Sequence, residues 1–287
     1  MRIGAHISVA QGYAKAVAYA SEVGCECVQV FAKSPRQWRG PVLETDAAEE
    51  FERLRAEADL GPLFTHTAYL LNLSTDDDVL WERSIDALAD ELARGSLLCA
   101  AGVVTHIGND RTADPARAAV RVAEAVRRSF ARVGSRHCTT RLLLENTAGA
   151  GTSVGTSTAE LASILDACEL PPTMLGVCLD TCHAHAFGYD LSSAAGWENL
   201  LAQIISDIGL DRLGLVHAND CLFESGSRRD RHAWIGDGTI GYEGFRAMLC
   251  RPELREIPLV TEMPGELPEK DVENLRRLKG LREQCRP

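Results

Sequence analysis

No run of apolar residues in this 287-residue chain approaches the roughly 18 needed to cross a bilayer as a helix. The opening Met1-Arg2-Ile3-Gly4-Ala5-His6 lacks the basic-then-apolar build of a secretion signal, so a cytoplasmic protein with no membrane partner is expected. No CxxC pair occurs among the ten cysteines, which are scattered along the chain. That removes the usual redox and zinc-ribbon motifs and leaves free thiols as the expectation in a reducing compartment. Cys25 and Cys27 alternate within an apolar stretch and read as buried strand residues. Positive charge is also scarce: the formal balance is −11, which taken alone argues against a nucleic-acid partner. No linker or low-complexity segment divides the chain. Hydrophobic residues at 45% and charged residues at 25% are those of a folded globular protein, which excludes disorder and a fibrous chain.

What is present is an alternation. Apolar, β-rich runs recur at Arg2–Ile7, Cys27–Ala32, Leu63–Thr67, Gly102–Ile107, Arg141–Asn146, Leu175–Thr181, Leu213–Ala218 and Pro258–Met263. Longer stretches with helical spacing lie between them, including Asp76–Cys99, Pro115–Val133 and Ser193–Ile208, with Asp46 and Asp76 as candidate N-caps. Near-continuous apolar strands alternating with helices predict a parallel sheet covered on both faces. Eight such units predict an α/β fold of TIM (β/α)8 type, a single domain over residues 1–287, in preference to an open doubly wound sheet. The polar loop Asn219–Gly241 is long enough to be functional.

Polar residues end the apolar runs in a regular way. His66, His106, Glu145, Asp180, His217 and Glu262 each close one of the last six strands, His183 follows Asp180 by three residues, and Asp230 and His232 come from the long loop. A parallel barrel puts all these strand ends on one face. One histidine at a strand end is more often simply hydrogen-bonded than a ligand. Four carboxylates gathered in one pocket, however, would repel one another. Bound cations resolve that repulsion, and the imidazole–carboxylate mixture suits zinc. Nine side chains exceed the needs of one tetrahedral ion, so two or three metals with a bridging carboxylate are expected. Other candidates are weaker. Gly236–Gly241 matches GxGxxG but lacks a βαβ setting and reads as a turn shaping the long loop. His6 reads as a core residue or a support to the ligands, His185 as a support, His137 as surface, and Glu269–Arg286 as a solvated barrel helix.

At these residues the chain resembles the endonuclease IV family of apurinic/apyrimidinic endonucleases. The likeness is carried by Leu179-Asp180-Thr181-Cys182-His183 with Gly188-Tyr189-Asp190, by His217-Ala218-Asn219-Asp220, by Gly226–His232 with Ile235–Gly241, and by the earlier Phe31–Trp38 and His66–Leu73. The resemblance implies a TIM barrel with three zinc ions. His66, His106 and Glu145 would hold one, Glu145, Asp180, His217 and Glu262 the second, with Glu145 shared, and His183, Asp230 and His232 the third. It implies hydrolysis of the phosphodiester 5′ to an abasic site in double-stranded DNA, leaving a 3′-hydroxyl and a 5′-deoxyribose phosphate, in base excision repair by a monomer. Glu145 is the expected catalytic residue. Arg36, Gln37, Trp38, Tyr69 and Leu70 would contact and wedge the kinked duplex, as intercalating side chains do. Extrusion is easiest for a nucleotide that has lost its base, which accounts for selectivity. Three divalent ions would bring the formal charge only to about −5, so a local positive face must carry DNA binding. Ile107, Cys221, Leu222 and Met263 depart from the usual family pattern, and none is an expected ligand. A two-metal sugar isomerase on the same barrel and a non-catalytic metal-dependent DNA-binding protein are the competing readings. Neither the third ligand group nor the Arg36–Trp38 loop is needed by the isomerase.

Overall fold

The computed structural model describes residues 1–134, 138–265 and 267–285. Eight parallel strands form a closed barrel: β1 (Ile3–Ile7), β2 (Val28–Phe31), β3 (Leu63–His66), β4 (Gly102–His106), β5 (Arg141–Glu145), β6 (Leu175–Asp180), β7 (Leu213–His217) and β10 (Leu259–Thr261). They pair in chain order, and β10 closes the ring between β7 and β1. All eight expected strands are present. Register aligns the strand ends: His106 pairs with Glu145 across β4–β5, and Asp180 with His217 across β6–β7. The α1 (Tyr13–Glu22), α2 (Thr45–Glu57), α3 (Asp78–Leu97), α4 (Pro115–Val133), α5 (Thr158–Cys168), α6 (Thr181–Phe187), α7 (Ala194–Gln203), α8 (Gly241–Leu249) and α9 (Glu269–Gln284) helices lie between and after the strands.

Every barrel strand is buried on both faces, which is why its sequence shows little alternation. Inside the barrel, Cys27, Phe64, Val104, Leu143, Cys178, Leu215 and Val260 pack into one cluster. Two larger clusters lie between sheet and helices, one around Phe51, Trp197 and Phe245, the other around Ile85, Leu88 and Leu142. Side-chain caps fix several helix starts. Asp114 accepts from the amides of Ala116 and Arg117 before a proline in the first turn of α4, and Asp77 caps α3 through Val79 and Leu80. On the outer surface α4 is riveted to α3 by Arg121–Asp78 and Arg132–Glu82 pairs.

Some local expectations are corrected. Asp76 does not cap α3; it pairs with Arg111 at 2.9 Å, and its neighbour Asp77 takes the cap. Asp46 lies inside the first turn of α2, where Glu44 holds the cap position without a side-chain bond. Cys25 and Cys27 are buried as expected but precede β2 instead of belonging to it. Cys250 and Cys285 form a disulfide between the ends of α8 and α9, so the free-thiol expectation fails for this pair. The Ser193–Ile208 stretch is α7 followed by a π-turn at Ile204–Ile208. The long loop contains a short antiparallel ladder, Asp220–Cys221 (β8) against His232–Ala233 (β9). The C-terminal stretch is a barrel helix, as expected, burying Leu275, Leu278 and Leu281. No described helix is long and apolar enough to cross a membrane. His137 lies outside the described residues.

Candidate metal centre

The nine residues collected from strand ends and the long loop meet at one end of the barrel. Glu145, fully buried at the end of β5, is the hub. Its carboxylate lies 3.1 Å from His66 Nε2 and His106 Nε2, 3.2 Å from His217 Nδ1 and 3.4 Å from His183 Nδ1. Glu262 reaches His217 Nδ1 at 3.3 Å, and Asp180 reaches it at 3.9 Å. Asp230 faces His183 Nε2 at 3.2 Å and His232 Nε2 at 3.4 Å. The donor atoms sort into three groups whose members all lie within 4.8 Å of one another: His66, His106 and Glu145; Glu145, Asp180, His217 and Glu262; and His183, Asp230 and His232. A further group of Asp180, Cys182 and His232 overlaps the last two.

The rings are oriented for ligation. His66 donates from Nδ1 to the Thr67 carbonyl at 2.8 Å, His183 from Nδ1 to the Asn146 carbonyl at 2.9 Å, and His232 from Nδ1 to the Glu262 carbonyl at 2.9 Å. His217 donates from Nε2 to Gln29 Oε1 at 2.9 Å. Each of these rings commits one nitrogen to a protein acceptor and turns the other toward the cluster, where a cation could take the place of its proton. That is how protein groups set metal-binding imidazoles. His232 Nε2 is buried without a hydrogen-bond partner. The carboxylates are held as well: the Asn219 amide donates to Asp180 at 2.6 Å, and Gln29 and His6 contact Glu262 at 2.9 and 3.1 Å.

The electrostatics show what the cluster demands. Burial pushes the His217 and His183 rings toward neutrality. For His217 the neighbouring Cys178, Glu262 and Glu145 reverse this, and for His183 Asp180, Asp230 and Glu145 do so, holding both well above the ordinary imidazole range. Burial likewise raises the Glu145 carboxyl, but His106 and His217 carry it well below its usual range. A pocket that stabilises positive charge so strongly, built from imidazole and carboxylate, fits divalent cations of the zinc class.

The long loop is held in place by Asp220. This buried carboxylate accepts from the amides of Gly236 at 2.8 Å, Gly238 at 3.1 Å, Ile240 at 3.0 Å and Gly241 at 3.2 Å. The GxGxxG stretch is therefore a turn wrapped on a carboxylate, as its lack of βαβ context implies. A Cβ on Gly238 would stand 2.4 Å from Asp220 Oδ1, and Gly236 takes φ +90°. His185 bonds Thr239 and the Leu191 amide, so it braces this loop and touches none of the nine ligand candidates. A cavity of about 340 Å³ opens over the cluster, lined by His66, His106, His183, Asp230, His232 and Glu262 together with Phe31, Tyr69 and Lys270.

A family described as Xylose isomerase-like TIM barrel matches residues 17–281. The probable endonuclease 4 of Methanoculleus marisnigri is 39% identical over 279 residues, covering 97% of this chain and 98% of that protein. The crystal structure of endonuclease IV from Thermus thermophilus superposes with a TM-score of 0.86 at 38% identity, over 99% of this chain and 100% of that one. The chain belongs to the endonuclease IV family. A D-tagatose 3-epimerase-like protein also superposes, with a TM-score of 0.73 at 16% identity over 99% of this chain and 98% of that one, which reflects the shared barrel alone.

The expected DNA-contacting residues of this endonuclease IV family member divide into two sets. Tyr69, 61% exposed, stands at the cavity rim, edge-on to Phe31 at 5.4 Å between centroids, and Arg36 and Gln37 are exposed on the loop that follows Phe31. The loops are joined, since the Tyr69 amide donates to the Pro35 carbonyl at 3.2 Å. Leu70 is half-buried. Trp38 packs against the α3 side, with the Arg83 guanidinium 4.4 Å over its ring. Gln29, Asn146 and Asn219 escaped the sequence reading as supports of the ligands. The signal for Gln29 was a lone amide in the apolar run Val28-Gln29-Val30.

Proposed function

We propose that the protein is a DNA-repair endonuclease that hydrolyses the phosphodiester 5′ to an abasic site in duplex DNA, leaving a 3′-hydroxyl, with three divalent ions, mainly zinc. The observation that carries the reading is the nine-residue cluster, buried at Glu145, Asp180 and His217 and open at Asp230, in which four rings have one nitrogen committed to a protein acceptor and the other turned to carboxylates. His66, His106 and Glu145 would hold one ion, Glu145, Asp180, His217 and Glu262 a second, and His183, Asp230 and His232 a third. Bound there, the ions would supply Lewis acidity: water acidified to a pKa of about 7 and positive charge against the phosphate.

The chain's own residues do the rest. Glu145 draws four imidazoles around one carboxylate, so that two groups share a member. Gln29 and Asn219 lock His217, Glu262 and Asp180 in orientation, which reduces the reorganisation needed when charge develops on the phosphate oxygens. Tyr69 stands at the rim and Arg36 on the loop bonded to it, and together they would fill the gap left by an extruded abasic nucleotide, while the cavity disfavours a nucleotide that keeps its base. All nine groups come from one chain, so the site is complete without a residue from a second copy.

The test is incubation of the purified protein, with its metal content measured, with a duplex carrying one abasic analogue, an intact duplex, and a panel of ketoses and aldoses. Incision confined to the abasic duplex with about three ions per chain is expected. Sugar epimerisation without incision, or full activity with one ion, would overturn the reading.

A further inference from the structure

We infer that Lys270 is a DNA-binding residue that holds the phosphodiester next to the scissile one. The inference rests on the endonuclease reading of the metal centre. Beside the cavity over the cluster lies a second one of about 530 Å³, walled by the loops after β1 and β2, among them Ser8, Val9 and Ser34, and by Leu267. The two cavities have three lining residues in common: His6, Phe31 and Lys270. His6 is engaged by Glu262 and Gln29, and Phe31 is apolar. Lys270 is thus the one Lys or Arg among the described residues lining the metal-centre cavity, and it faces both spaces.

The other three lysines of the chain are committed elsewhere. Lys33 is buried against Asp90 at 2.7 Å, Lys15 meets Gln11, and Lys279 binds the Gly24 carbonyl and lies 3.5 Å from Glu26. An ammonium has three N–H donors. Among the described residues Lys270 spends one, on the Met263 carbonyl at 3.2 Å. It also forms a long ion pair, 3.9 Å, with Asp271 Oδ1, beyond hydrogen-bond reach, while the other carboxylate oxygen of Asp271 accepts from the Tyr19 hydroxyl at 2.6 Å. The Lys270 side chain is only 16% exposed, so an anion entering either cavity meets its remaining donors under weaker screening than at an open surface.

A DNA strand presents one phosphate per about 3.4 Å of axis. A strand with one phosphate over the ligand cluster must carry its neighbours out past the cavity wall. The second cavity shares that wall, Lys270 stands on it, and Ser8 and Ser34 are among its other lining residues. The chemistry recognised is a phosphodiester oxygen, through a charge-assisted hydrogen bond. In a chain of net charge −11, a cation at this point belongs to the local positive face that binding requires.

The experiment compares the wild-type protein with Lys270→Met and Lys270→Arg in multiple-turnover incision of an abasic duplex across a salt series. It uses duplexes in which each phosphate flanking the scissile one is in turn a neutral methylphosphonate. For Lys270→Met we expect about a tenfold rise in KM with kcat and metal content retained, a slope of log kcat/KM against log salt shallower by about 1, and rescue by Lys270→Arg. The methylphosphonate penalty at one flanking position should vanish in Lys270→Met, since the partner charge is already gone. A merely structural lysine would leave the salt slope and that coupling unchanged. An unchanged slope, or the same methylphosphonate penalties in Lys270→Met and wild type, overturns the inference while leaving the endonuclease in place. Wild-type protein that does not cut abasic duplex overturns the function itself and the inference with it.

Discussion

Replacing Asp220 by alanine should strip one metal group from the site and leave the other two. Asp220 is fully buried and touches no ligand candidate, yet it accepts from four loop amides between 2.8 and 3.2 Å as well as from its own neighbour, Cys221. Each buried amide deprived of its acceptor costs about 1–3 kcal/mol. The gross loss over four amides is therefore about 4–12 kcal/mol. Part of this is offset because the carboxylate itself was costly to bury, as shown by burial pushing its carboxyl above the usual range, and because water can enter the opened turn. A net loss of about 3–5 kcal/mol remains, worth about 5–8 °C in Tm for a chain of this size. The damage falls on the loop that delivers Asp230 and His232. The seven other candidates stand on or just after barrel strands. Elemental analysis should thus fall from about three ions per chain to about two, with far-UV circular dichroism unchanged. Retention of all three ions, or the loss of all three together, would refute the view that Asp220 organises one group alone.

Glu145→Gln should lower incision by at least about a thousandfold, roughly 4 kcal/mol of barrier, with the fold retained; an amide is a poor cation ligand and cannot be shared between two groups, and activity within about tenfold of wild type would move the catalytic centre elsewhere. Tyr69→Ala should weaken binding to an abasic duplex without altering metal content, and the loss should shrink on a substrate already unpaired at the lesion; equal losses on both substrates would show that the ring only packs the loop. Reduction of Cys250–Cys285, or Cys250→Ser, opens a crosslink spanning 35 residues and should cost up to about 3.8 kcal/mol by loop entropy. Thermal melts with and without reductant measure this, and identical midpoints would show that α9 is held by packing alone.

Much of the architecture was legible because its causes are local. Eight apolar runs spaced by helical stretches can satisfy their backbone hydrogen bonds and bury both faces as a parallel barrel, and the parallel arrangement gathers strand ends on one face. His66, His106, Glu145, Asp180, His217 and Glu262 could therefore be assigned to one pocket from chain position alone, since each closes an apolar run. The helix caps were less legible, because Asp76, Asp77 and Asp78 are equivalent candidates until Arg111 and Arg121 claim the outer two. Other features depend on partners far apart in the chain. Gln29 meets His217 across 188 residues, Asn219 meets Asp180 across 39, and Cys250 reaches Cys285 because α8 and α9 end side by side. Nothing in the local spacing announces those meetings. Trp38 lies under Arg83, and Lys270 stands between two cavities, because loops from different strands pack together over the barrel mouth. The spacing of apolar runs along the chain encodes the barrel and the polar residue that closes each run encodes its ligand face, and so the sequence alone determined both. Which nitrogen of each ring is free, which amides brace the carboxylates and which cation lines the cavity over the cluster are properties of three-dimensional neighbours, and only the tertiary structure decided them.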